Sequence, residues 1–188
     1  MTRFWWVRHG PTHARTMTGW TDLPADLSDT ARLARLAALL PPDAPMISSD
    51  LSRAVATADA IRGARPRLPH DPRLREIHFG AWEGLTAAEV SARDPALSRA
   101  FWEGAPVAAP QGEGWPDLVA RIAAAMADLP RVPDVVVVAH FGAILSALHV
   151  AGAGGIAQLF AQPIDNLSLT EVARGPEGWS IGRINHAA

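Results

Sequence analysis

Two short runs of uninterrupted apolar residues constrain this chain most: "FWWV" at Phe4–Val7 and "VVVV" at Val135–Val138. A run with no polar side to turn toward water reads as a strand covered on both faces, which is the signature of a sheet sandwiched between helices. Both runs end in the same way. Val7 leads to Arg8–His9–Gly10, and Val138 leads through Ala139 to His140–Phe141–Gly142. Ligands in open α/β sheets bind beyond the carboxyl ends of the strands, so both histidines are candidates for a site there.

The rest of the chain alternates in the same sense. Ser28 or Asp29 caps a helix that carries Leu33, Leu36 and Leu40 on one face and stops at Pro41–Pro42. "PMISSD" (Pro45–Asp50) reads as a second strand, running into a helix over Leu51–Arg62 that Gly63 ends. Arg67–Pro69 reads as a third strand. Thr86 and Glu89 form a capping box for a helix ending near Asp94. Pro116 suits the first turn of a helix in which Leu118, Ile122, Met126 and Leu129 recur at helical spacing. Asp134–His140 is the strongest strand, and helix resumes from Gly142 up to the glycines at 152–155. "LSLTEVA" and "WSIGRIN" form a hairpin through Gly175–Gly178. The expected fold class is α/β, with a mostly parallel central sheet flanked by helices. With no linker or repeat, residues 1–188 are expected to form one domain. Glu103–Gly112 reads as the only long irregular loop and is expected to act as a lid.

Composition limits the chemistry. There is no cysteine, which removes disulfides, cysteine-ligated zinc and thiol nucleophiles. All 17 basic side chains are arginine, so a P-loop lysine and Schiff-base catalysis are excluded. A net charge of −2 without any block of like charge argues against nucleic acid or an anionic membrane as partner. No stretch approaches the ~18 apolar residues of a membrane helix, and the first apolar run is too short for a signal peptide. The expectation is a cytoplasmic protein.

A third strand end contributes Ser48–Ser49–Asp50 and then Arg53, on the first turn of a helix. The sheet edge thus gathers two histidines and two arginines. Arginine presents a planar fork of donors that matches phosphate oxygens and stays charged at any relevant pH. Positive neighbours disfavour imidazolium, so a histidine between arginines stays neutral and nucleophilic. Phosphoryl transfer then lacks only a proton donor for the leaving oxygen. On chemistry alone Glu76 and Glu83 both remain open for that part.

The motifs now have a precedent. "RHGPT" resembles the Arg-His-Gly-x-Thr signature of the histidine phosphatase superfamily, phosphoglycerate mutase-like branch. "SSDLSRAVATA" (Ser48–Ala58), "LREIHFGAWEG" (Leu74–Gly84) and "VVVVAHFGAI" (Val135–Ile144) are similar to its later motifs, in the same order. "QGEGWPDLVARI" and "DNLSLTEV" resemble weaker segments of that family. The resemblance implies a phosphoglycerate mutase-like fold and a phosphohistidine on His9. Arg8, Arg53 and His140 would bind the phosphoryl group, with Thr12 and Arg15 at its edge. Glu76 would protonate the leaving alcohol and then deprotonate water. No metal or organic cofactor is implied, and the partner is a small phosphorylated substrate.

Three positions depart from the family pattern. Pro11 stands where Glu is frequent, Arg15 where Asn is frequent, and Gly114 where a serine hydroxyl is usual. Arg15 either adds a phosphate contact or leaves a hydrogen bond unmade. His9 and His13 have the spacing of helical zinc ligands, but Gly10 and Pro11 break any helix between them. Phe101, Trp102 and Trp115 are open between core and substrate wall, while Trp5, Trp6 and Trp20 are expected to pack. "GWSIG" (Gly178–Gly182) matches a nucleophile elbow, yet no acid follows it, so it reads as strand. A mutase needs basic residues for a second anionic group, and 103–115 holds none. The expected activity is therefore a metal-independent, histidine-type phosphomonoesterase. α-Ribazole phosphatase or phosphoglycerate mutase activity, and a non-catalytic phospho-ligand binding protein, are the alternatives. Oligomeric state is not legible.

Overall fold

The computed structural model describes residues 1–188. Its centre is a five-stranded sheet made of β1 (Thr2–Arg8), β2 (Met46–Ser48), β3 (Asp134–Ala139), β4 (Leu169–Gly175) and β5 (Gly178–Ile181). The spatial order is β2-β3-β1-β4-β5. Phe4 lies opposite Val135 and Val7 opposite Val138, in parallel register. The two apolar runs are thus neighbours, and their histidines leave the sheet side by side; the N–H of His9 donates to the carbonyl of Ala139 at 3.0 Å.

The sheet is mixed. β1 and β2 each run parallel to β3, whereas β4 runs antiparallel to both β1 and β5. The expected predominance of parallel strands holds only for the half built from helical crossovers. After the last long helix the chain climbs back to the histidine end before β4 begins, with Leu169 opposite Val7, so β4 must run the other way. The hairpin itself lies where the sequence places it.

Seven helices follow the same chain order: α1 (Thr30–Leu39), α2 (Ser52–Ile61), α3 (Ala87–Arg93), α4 (Pro95–Trp102), α5 (Trp115–Asp128), α6 (Phe141–Val150) and the short α7 (Ile156–Leu159). Strand alternation sorts them into two layers. Trp5, Val7, Val136 and Val138 face α1 and α2, meeting Leu33, Leu36, Ala54 and Ile61. Phe4, Trp6, Val135 and Val137 face the other way, into a larger core with Val90, Phe101, Leu118, Ile122 and Ile144. Asp29 caps α1, accepting from the N–H of Arg32, and Thr86 and Glu89 form their reciprocal capping box.

Some local expectations need correction. Arg67–Pro69 forms only a single bridge, Arg67 to Met46, because Pro66 and Pro69 have no N–H to extend a ladder. α4 was not anticipated: Pro95 stops α3 and simultaneously starts a new helix at its first turn. Glu103–Gly112 is not a free loop. Its Pro110 carbonyl accepts from the N–H of Ala81, Ala108 bridges Gly114, and Ala109 is buried. The longer irregular stretch is the connection from Gly10 to Ser28, between β1 and α1.

One buried arginine ties the α1–α2 layer together. Arg65 donates to the carbonyls of Ala37, Leu40 and Pro41 at the end of α1, and to Ile61 and Arg62 at the end of α2. It thereby satisfies carbonyls that both helix ends leave without intrahelical partners.

Candidate active site

His9 sits directly beyond β1 and is 7% exposed. Its Nδ1 lies 2.6 Å from the carbonyl of Gly10, which fixes the proton on Nδ1 and leaves a lone pair on Nε2. Burial, then the charge of Arg53, pushes the imidazole pKa down to about 3, outweighing the Gly10 carbonyl's opposite pull; Arg8 adds to the depression. The chain turns tightly here. A Cβ on Gly10 would stand 2.7 Å from Leu27 Cδ2, and the Gly10 N–H donates to Thr57 Oγ1.

His140 caps the N-terminus of α6 and is fully buried, its ring centroid 5.0 Å from that of His9. Burial first, then the fields of His9, Arg53, Arg8 and Arg121, holds it neutral. Both of its ring nitrogens are buried without a protein partner, as is Nε of Arg8.

Arg53 lies on the first turn of α2 and is 1% exposed. It donates from Nε to His9 Nε2 at 3.3 Å and from its two terminal nitrogens to the carbonyls of Thr21 and Gly19. Arg8 anchors to the Ile164 carbonyl at 2.6 Å and lies over the Phe141 ring. Burial lowers the pKa of both guanidinium groups, with Glu76 as the largest opposing influence, and both remain cationic.

The two rival glutamates have separate surroundings. Glu76 lines the cavity beside His9, Arg8 and Arg53. Its carboxylate accepts from the N–H of Gly142 on both oxygens, at 3.0 Å each, and from Ile77 at 2.9 Å. Its own carbonyl is held by Trp20 Nε1 and by Arg121. Glu83 instead accepts from the N–H groups of Gly19, Trp20, Thr21 and Phe79 and from the Thr21 hydroxyl. Burial opposes its ionisation, but the hydrogen bonds from Thr21, Trp20 and Gly19 win, so its pKa lies below the ordinary value. Glu83 is thus a brace for the 19–21 turn, which in turn holds Arg53.

Arg8, His9, Arg53 and Glu76 border a cavity of about 210 Å³, whereas His140 is buried behind His9 and Glu83 lies off it. Its outer wall comes from the β1–α1 connection: every second residue, Thr12, Ala14, Thr16 and Thr18, lines it. The alternate residues face elsewhere, His13 pairing with Asp26 and Met17 packing on the core. Arg15 falls in that second set, is exposed and is not among the residues that line the cavity. Segment 103–115 does not line it either. Phe79 and Phe141 supply its apolar surface; Phe101 and Trp115 are core, and Trp102 stacks on them from a partly exposed position. A larger hollow at the opposite end of the sheet, bordered by Met1, Arg131 and Arg174, has no histidine or carboxylate in its lining.

Three supports escaped the sequence reading. Asn166 donates to the His9 carbonyl at 2.8 Å, Thr57 accepts from Gly10, and Arg121 pins the Arg73, Arg75 and Glu76 carbonyls. Asn166 had a usable signal, because a hairpin strand placed antiparallel to β1 must begin beside His9. No three His, Asp or Glu side chains cluster closely enough to hold a metal ion.

The arrangement offers a neutral histidine, two fixed cations and one carboxyl group around a small cavity. Residues 4–187 match the model of the histidine phosphatase superfamily (branch 1), and the chain belongs to that family. It is 31% identical over 200 residues to the bifunctional protein Rv2228c of Mycobacterium tuberculosis, covering 97% of this chain but only 53% of that protein. It is 36% identical to the glucosyl-3-phosphoglycerate phosphatase of Mycolicibacterium vanbaalenii, over 85% of this chain and 75% of that one. The solved structure of Bacillus stearothermophilus YhfR superposes with a TM-score of 0.87 at 28% identity, covering 100% and 98% of the two chains. No helix is long and apolar enough to cross a membrane.

Proposed function

We propose that residues 1–188 form one catalytic domain that hydrolyses a small phosphate monoester through a phosphohistidine on His9. The observation that carries this reading is the state of His9. Its Nδ1 proton is committed to Gly10, so Nε2 carries the lone pair at the edge of the cavity, where it accepts only a long 3.3 Å hydrogen bond from Arg53 Nε. Attack by Nε2 on phosphorus forms a P–N bond as the P–O bond to the alcohol breaks. Arg8 and Arg53 border the space where charge develops on the non-bridging oxygens, and His140, packed against the His9 ring, would join them in stabilising it. Thr12 lies at the rim of the same space, whereas Arg15 has no part in it.

Glu76 gives its proton to the departing alkoxide. It then takes a proton from water, whose oxygen attacks phosphorus and breaks the P–N bond, releasing inorganic phosphate. Nothing in this sequence calls for a metal ion, because charge and proton supply both come from side chains. Relatives named as glucosyl-3-phosphoglycerate phosphatases support hydrolysis as the outcome. Phosphoglycerate mutation is less well supported, since beyond Arg8 and Arg53 the cavity has no cation to hold a second anionic group.

The test is phosphate release from p-nitrophenyl phosphate, 3-phosphoglycerate and α-ribazole phosphate in EDTA, with His9→Ala as control. EDTA-resistant release that vanishes in the variant is expected. Release that needs added metal, or survives in His9→Ala, contradicts the mechanism. Phosphate binding without release from any monoester would indicate a binding protein.

A further inference from the structure

Building on the phosphatase reading, we infer that the site selects a neutral, hydroxyl-rich leaving group, as in a polyol or sugar phosphate, and rejects phosphorylated carboxylic acids. The first ground is charge. Two arginines face one glutamate in the cavity, and His9 is neutral. With Glu76 carrying the proton it is to donate, a phosphate dianion balances the two guanidinium charges. A carboxylate on the leaving group then adds a negative charge that no cation in the cavity offsets, in a partly enclosed space where an unpaired charge discriminates strongly.

No other cation stands ready to cancel it. Arg15 lies on the outward-facing set of an alternating segment. Arg75 is committed to Asp50 through two hydrogen bonds and stacks over Trp20. Arg32 donates to the Asn166 carbonyl, and Arg121 is spent on Glu113 and three carbonyls.

The second ground is the wall itself. Thr12, Thr16 and Thr18 line one side of the mouth, with Phe79 and Phe141 as the apolar surface. Thr12 Oγ1 accepts from the Ala14 N–H, which leaves its own O–H free to donate, while Thr18 uses its O–H on the Thr16 carbonyl. The Thr16 hydroxyl makes no hydrogen bond within the protein and stands in the middle of the row. Hydroxyls that both donate and accept suit an alcohol better than a carboxylate, and an apolar face suits the carbon frame of a polyol or sugar ring.

The experiment compares glycerol 3-phosphate with 3-phosphoglycerate, which share a three-carbon frame and differ in a terminal CH2OH or carboxylate. p-Nitrophenyl phosphate serves as a reference for the chemistry. kcat/KM is expected to favour glycerol 3-phosphate by about tenfold or more. Thr16→Arg should narrow or invert that ratio by raising turnover of 3-phosphoglycerate. If 3-phosphoglycerate is hydrolysed as well as glycerol 3-phosphate while the reference is turned over, the selectivity proposal fails and the phosphatase reading stands. An unchanged ratio in Thr16→Arg removes the threonine row from the explanation. No turnover of the reference overturns both readings.

Discussion

The backbone N–H of Gly142 donates to both carboxylate oxygens of Glu76, at 3.0 Å each. This contact joins the first turn of α6, which follows His140, to the irregular segment that carries Glu76, the proposed acid. A Cβ at position 142 would stand 2.3 Å from Glu76 Oε1, so only glycine permits it.

Gly142→Ala should therefore displace Glu76 without removing any ionisable group. Misplacement of a catalytic group by about 1 Å costs on the order of 100-fold. That loss is expected in kcat for alkyl phosphates, whose alkoxide needs a proton, and much less for p-nitrophenyl phosphate. Steady-state kinetics on both substrates checks it, and equal losses would argue against Glu76 as the proton donor.

Glu83 should behave differently. It braces Gly19, Trp20 and Thr21, and the Gly19 and Thr21 carbonyls hold Arg53. Glu83→Ala should loosen Arg53 and lower kcat/KM roughly 10- to 100-fold. The loss should be the same for good and poor leaving groups. A loss confined to poor leaving groups would transfer the acid role to Glu83.

Stability should fall as the medium is acidified. The pKa of His9 is about 3 in the folded chain against 6.5 for the free side chain, so between those values the unfolded chain binds the extra proton. The stability is intact above about pH 6.5 and is lost as pH falls from there toward 3, by up to about 1.4 kcal/mol per unit. His140, also held neutral by burial, acts in the same direction. Urea unfolding at pH 7.5 and 5.5 should show the decrease, and His9→Asn should reduce it. Equal stability at both values would contradict a neutral His9.

Arg65 offers a purely structural prediction. Its five carbonyl acceptors lie at the ends of α1 and α2, and it does not line the cavity. Arg65→Ala should cost about 2–4 kcal/mol of unfolding free energy. Activity per folded molecule should be retained. A fall in activity without a fall in the urea midpoint would place Arg65 in the site's own support.

The histidine pair was legible because two uninterrupted apolar runs read as buried strands, each ending in a histidine, and parallel register brings those ends together. Arg53 was legible from the strand-to-helix junction at Ser48–Ser52. What escaped depends on distant pairing. Asn166 reaches His9 only through the antiparallel placement of β4, and Arg121 reaches Glu76 across the face of α5. Arg15 could not be oriented until the alternation of Thr12 to Thr18 against the cavity was visible. The 103–112 segment looked like a lid because Gly, Ala and Pro give no pattern, yet its backbone is paired to His78–Ala81.

The most direct measurement is rapid acid-free quenching of wild-type enzyme during turnover of phosphate-labelled p-nitrophenyl phosphate, followed by peptide mass spectrometry. The account predicts label on His9, accumulating faster in Glu76→Gln, which should form the intermediate from this good leaving group but hydrolyse it slowly. Phosphate transferred directly to water, or label on any other residue, would contradict it.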